Sequence, residues 1–113
     1  MATDRSNPAA IEIELAGTDG DQVATVTVRG DLDAVAAPGL REALADVIDR
    51  SPVVVRIDMA GVDFLDSVGI SVLVASFNQA TDAGVAFELA SVPASSRRVL
   101  EITRLTDVLT IVD

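Results

Sequence analysis

The sequence predicts a single α/β domain built on a mixed sheet of four or five strands with packed helices. Segments of alternating or β-branched residues are interleaved with segments of helical periodicity, the pattern of strands joined by crossover helices. The first two strand segments instead follow one another across a turn, which predicts an N-terminal hairpin. The predicted order is β-β-α-β-α-β-α-β, so the sheet should be parallel except at the edge that the hairpin forms.

The hairpin is predicted from two segments of alternating residues. Residues 11–16 alternate apolar and acidic side chains, and residues 22–30 alternate threonine with valine or alanine. Between them, residues 17–21 (GTDGD) have the composition of a turn. Residues 1–10 have no apolar segment of the kind found in secretory signals. We expect these residues to form a flexible tail and the domain to span residues 11–113.

Three helices and three further strands complete the predicted order. Pro38 suits the first turn of a helix, Pro52 ends that helix, and Gly84 suits the position just after the second helix. The predicted elements are helix 37–50, strand 53–59, helix 67–83, strand 85–89, helix 93–103 and strand 108–112. The strand at 53–59 is nearly continuous in β-branched residues, which predicts cover on both faces.

The composition argues against most classes of enzyme. The chain has no cysteine, histidine, lysine or tyrosine, which removes thiolates, the usual general base, Schiff bases and phenolic acids. A hydrolase using a serine would have no imidazole to activate it. We therefore expect a protein that is not an enzyme, has no catalytic residues and needs no cofactor or metal.

The charge of the chain bears on its partners. A formal net charge of −10 disfavours nucleic acid and anionic membrane surfaces, and favours a basic protein partner. No window approaches the roughly 18 apolar residues of a membrane-spanning helix. The expected location is the cytoplasm.

A serine stands at the junction between the third predicted strand and the second predicted helix, in residues 63–70 (DFLDSVGI). In a structural interpretation, the Ser67 hydroxyl caps the helix by accepting a bond from a backbone N–H. In a functional one, a kinase modifies it. Asp63 and Asp66 beside it have no evident packing role, and Gly69 lowers helix stability by roughly 1 kcal/mol relative to alanine. Such a glycine is expected where another chain's backbone or a phosphoryl donor must come close.

The helix start also favours a docking surface that phosphorylation would alter. The neighbouring Val68, Ile70 and Val72 are apolar and are expected to offer a surface to a partner. A phosphoryl group adds about −1.5 to −2 charges. The helix dipole and free N–H groups are expected to favour that anion locally by roughly 0.3–1 kcal/mol, so the fold should tolerate it.

Four aspartates are expected near this junction: Asp31, Asp33, Asp63 and Asp66. They favour a charged patch that faces a partner. A magnesium site like that of a two-component receiver is the other possibility, but receivers also need a lysine, which this chain lacks.

Several of these segments together resemble the STAS domain of anti-sigma factor antagonists. The hallmark of that family is an aromatic or apolar pair followed by Asp-Ser, a small residue, Gly and Leu or Ile, which residues 64–70 match. Residues 30–33 (GDLD) resemble its second signature. Residues 92–100 resemble its third helix, and residues 105–111 its closing segment, so the resemblance covers nearly the whole chain.

The resemblance implies a phosphorylation switch at Ser67. Asp66 falls on the acidic residue that precedes the family's phosphorylated serine, and Asp33 falls on the acidic residue of the second signature. Val68 and Ser71 depart from the common pattern, and Ser71 is a second hydroxyl on the same helix. The implied partner-binding residues are Asp31, Asp33, Asp63, Asp66, Ser67, Val68, Gly69 and Ile70.

The function that the resemblance implies is that of an anti-sigma factor antagonist. Its unphosphorylated form would bind an anti-sigma factor that is also a GHKL-type serine kinase, releasing a sigma factor for transcription. Phosphorylation of Ser67 would dissociate the complex, and a serine phosphatase would reset it. The alternative is a stand-alone STAS subunit of an ABC-type transporter ATPase complex.

Overall fold

A computed structural model describes residues 9–112, which form one five-stranded mixed sheet with three α-helices and a short 3-10 helix. In chain order the elements are β1 Ala10–Ala16, β2 Val23–Leu32, α1 Ala37–Asp49, β3 Val54–Leu65, α2 Ser67–Asp82, β4 Ala86–Ala90, α3 Ala94–Ile102, the 3-10 helix Leu105–Asp107 and β5 Thr110–Val112. Within the described residues, no helix is long and apolar enough to cross a membrane.

The sheet confirms the predicted topology. The strands lie in the order β1-β2-β3-β4-β5. β1 pairs antiparallel with β2, whereas β2, β3, β4 and β5 are mutually parallel. Right-handed crossovers that advance in one direction put α1 and α2 on the same face of the sheet, where the two helices contact each other.

The core lies between these helices and alternate residues of the strands. Val26, Ile57 and Leu89 are completely buried on neighbouring strands. On the opposite side of β3, Arg56 is exposed and pairs with Glu88 of β4. The prediction that this strand is covered on both faces is therefore wrong. Apolar β-branched residues alternate here with polar ones, as in a sheet that has one solvated face.

Most element boundaries differ from the prediction by one or two residues, and the end of β3 differs by more. β1 begins at Ala10, inside the predicted tail, while residues 1–8 of that tail lie outside the described residues. β2 continues to Leu32, just past its predicted end at residue 30, and β3 continues to Leu65, well past its predicted end at residue 59. Irregular register at the ends of these two strands breaks the simple alternation on which the prediction rested.

The extended ends of β2 and β3 fix the start of α2. Asp31 pairs with Phe64 and Leu32 with Leu65 in the parallel register. The Asp66 backbone N–H then donates to the Leu32 carbonyl at 3.2 Å. The first turn of α2 is thereby held directly above the end of β2.

Candidate functional site

Asp66, not Ser67, caps α2. Its carboxylate oxygen Oδ1 accepts bonds from the backbone N–H groups of Val68 and Gly69, both at 2.9 Å. The structural interpretation, in which Ser67 is the N-cap, is therefore wrong. An aspartate satisfies two helix-start donors with one charged oxygen, and its charge also favours the positive end of the helix dipole.

Ser67 is the first residue of α2 and is exposed. The capping role falls to its neighbour, which leaves the Ser67 hydroxyl outside the cap. By contrast, the Ser71 hydroxyl donates to the Val68 carbonyl at 2.7 Å, one turn further along. Of these two serines, Ser67 is thus the one whose hydroxyl is not committed to the helix backbone.

Gly69 is buried against the protein's own backbone. A β-carbon at this position would lie 2.3 Å from the Leu32 carbonyl oxygen. Glycine is therefore required here by a contact within the protein, and not by the expected approach of another molecule. Ile70 is also buried, with 9% of its surface exposed, and Val72 is completely buried. These residues support the helix start from inside, and of the apolar residues expected to offer a surface only Val68 does so.

Two of the four aspartates hold the backbone at the start of a helix. Asp33 Oδ1 accepts the backbone N–H groups of Val35 and Ala36, each at 3.1 Å, and so holds the turn that precedes α1. Asp66 caps α2 in a similar way. In residues 9–112, no three acidic side chains are grouped closely enough to hold a metal ion.

Three apolar side chains are exposed at the end of the sheet where Ser67 lies. Val35 is 86% exposed, Phe64 54% and Val68 37%. The strand register and the Asp33 turn bring the first two to the end of the sheet where α2 begins. Sequence reasoning missed Val35 and the exposure of Phe64. The only sequence signal for Val35 was an apolar residue among turn residues after the Gly-Asp-Leu-Asp segment.

A shallow cleft adjoins this surface, between the end of β3 and the first half of α3. Its volume is about 230 Å³. Its walls are mainly apolar, and are formed by Asp63, Phe64, Leu65, Ser95, Ser96 and Val99. Phe64 thus lies at the rim of the cleft and is also one of the three exposed apolar side chains.

Comparison with known proteins gives one consistent assignment. The STAS domain family matches residues 12–113. The anti-sigma-B factor antagonist of Listeria monocytogenes is 33% identical over 101 residues, which cover 89% of this chain and 88% of that protein. A crystal structure of an anti-sigma factor antagonist from Mycobacterium paratuberculosis superposes with a TM-score of 0.75 at 30% identity, covering 90% of this chain and 85% of that one.

A more distant likeness concerns the fold alone. The Bacillus cell fate determinant SpoIIAA in its phosphorylated form has a TM-score of 0.69 at 15% identity, with 92% of each chain covered. The family match and the identity to the Listeria protein settle the assignment: this chain belongs to the STAS domain family and to its anti-sigma factor antagonists.

Proposed function

We propose that this antagonist acts by a phosphorylation-controlled exchange of partners in the cytoplasm. In the unphosphorylated state it binds an anti-sigma factor that is also a GHKL-type serine kinase, and the sigma factor is released. The observation that carries this proposal is the exposed Ser67 hydroxyl, which lies outside the helix cap at an end of the sheet where apolar side chains are also exposed. The names of the relatives support an anti-sigma factor as the partner.

In this proposal the partner kinase carries out the phosphoryl transfer. The kinase holds ATP, the Ser67 oxygen attacks the γ-phosphorus, the bond to ADP breaks, and the serine proton passes to a base of the kinase. A serine phosphatase returns the hydroxyl by transferring the phosphoryl group to water. The antagonist contributes a hydroxyl presented at a rigid helix start, and needs no cofactor of its own.

Two local features make the phosphorylated surface a poor docking surface. The Val68 and Gly69 N–H groups are already taken by Asp66, so a phosphate on Ser67 does not gain those two donors unless it displaces the carboxylate. The added charge of about −1.5 to −2 also lies beside that carboxylate. Burying such a dianion in a partner interface without a counter-charge costs several kcal/mol, and each 1.4 kcal/mol lowers affinity about tenfold.

The test uses purified anti-sigma factors encoded in the same genome, with Kd measured by calorimetry. We expect Ser67→Ala to bind like the wild type and to stay bound when ATP is added. Ser67→Asp should bind about tenfold to a hundredfold more weakly, because it places a charge on the docking surface. Asn78→Asp is the control, since it adds the same charge on an exposed residue further along α2. If Ser67→Asp binds as tightly as Asn78→Asp, the switch is not at Ser67.

A further inference from the structure

The cleft between β3 and α3 is lined by residues that come just before Ser67 in the chain. Phe64, which is 54% exposed, forms one of its walls and lies three residues before Ser67. On the far side, Ser95 is exposed and Val99 is half-buried on α3. A protein that covers Ser67 and Phe64 therefore meets the mouth of the cleft.

The size of the cleft favours a side chain over a free ligand. At about 230 Å³ it is smaller than the roughly 300–1,000 Å³ of typical small-molecule pockets. It is also shallow and mainly apolar, whereas small-molecule sites combine deep enclosure with several convergent polar groups. Protein interfaces, in contrast, concentrate their affinity in a few large side chains that fill pockets of the partner.

We propose that this cleft receives one large apolar side chain of the anti-sigma factor, such as leucine, methionine or phenylalanine, from a basic surface of that partner. This inference rests on the proposed function. Phe64, which lines the cleft and lies just before Ser67 in the chain, supplies the location, and the net charge of −10 supplies the preference for a basic partner. The cleft is thus a second contact of the same partner, away from the phosphorylation site.

The experiment fills the cleft and measures binding of the anti-sigma factor that binds the wild type. Ser95→Trp places an indole at the cleft from an exposed position on α3. Glu101→Trp is the matched control, because it adds the same side chain to an exposed position on a different side of α3. Thermal unfolding of both variants checks that each is folded. We expect Kd to rise at least about tenfold for Ser95→Trp and to change less than about threefold for Glu101→Trp.

A second arm identifies the inserted side chain. Large apolar residues of the anti-sigma factor are replaced singly by alanine, and each variant is tested against the wild type and against Ser95→Trp. One such replacement should weaken binding to the wild type but add little to the effect of Ser95→Trp, because both remove the same contact. Equal effects of Ser95→Trp and Glu101→Trp, or full additivity for every alanine variant, overturn the proposal.

The proposed function has its own readout in the same assay. Loss of binding by Ser67→Asp together with normal binding by Ser95→Trp keeps the switch and rejects the cleft contact. If no anti-sigma factor binds the wild type at all, both proposals are wrong.

Discussion

The carbonyl oxygen of Leu32 lies 2.3 Å from the position that a β-carbon at Gly69 would occupy. The end of β2 and the first turn of α2 are therefore in direct backbone contact, and the same carbonyl accepts the Asp66 N–H. This contact fixes the position of the α2 start relative to the end of β2, and hence the position of Ser67.

Gly69→Ala should destabilise the protein. The added methyl group meets backbone, which must move, and overpacking of this kind costs roughly 1–3 kcal/mol, against about 1 kcal/mol that alanine gains over glycine in a helix. Gly39 in α1 is the matched control, since a β-carbon there meets nothing within 4 Å. Urea unfolding should show a lower free energy of unfolding for Gly69→Ala and a higher one for Gly39→Ala. A stabilised Gly69→Ala variant contradicts the close contact.

Asp66 should contribute to stability through its cap rather than through its charge alone. Asp66→Ala removes the acceptor of two N–H groups and should lower the free energy of unfolding by about 1 kcal/mol. Asp66→Asn keeps an acceptor oxygen and should lose only a few tenths of a kcal/mol. Thermal or urea unfolding distinguishes the two variants, and equal losses would show that the hydrogen bonds are not what matters.

Val35 and Phe64 should both matter for binding, and Val35 should matter little for folding. Val35 is 86% exposed, so its replacement by alanine removes little buried surface, whereas Phe64 is 54% exposed and its replacement removes a partly buried ring. Each change should weaken binding of the anti-sigma factor about tenfold or more, with an unfolding midpoint that is nearly unchanged for Val35→Ala and lower for Phe64→Ala. Ile102→Ala is the control, because Ile102 is 74% exposed at the far end of α3. Equal binding by all three variants would show that Val35 and Phe64 do not contribute to binding of the anti-sigma factor.

Much of the fold was predictable because its signals are local. Strand alternation, helix periodicity and the breaks at Pro52 and Gly84 identified every strand and α-helix, although with shifted ends. The extension of β3 to Leu65 was not predictable in this way. It depends on pairing with the irregular end of β2, which is a contact between distant parts of the chain.

The site was predictable only in outline. The Asp-Ser-Val-Gly segment located the helix start, but it did not show which of its residues caps the helix. Whether Asp66 or Ser67 caps α2 depends on backbone geometry, since both residue types are good caps. The structural role of Gly69 could not be predicted for a similar reason, because the residue that it contacts, Leu32, lies on β2 and is distant in sequence. The exposure of Val35 and Phe64 likewise depends on how the ends of β2 and β3 pair.

Incubation of the protein with its anti-sigma factor and ATP, followed by phosphosite mapping and gel filtration of the same sample, tests the central claim most directly. We predict one phosphoryl group on Ser67, and elution of the modified chain apart from the kinase. The Ser67→Ala variant should remain unmodified and bound. A complex that persists with Ser67 fully phosphorylated, or a kinase that modifies another residue and leaves Ser67 untouched, would contradict the account.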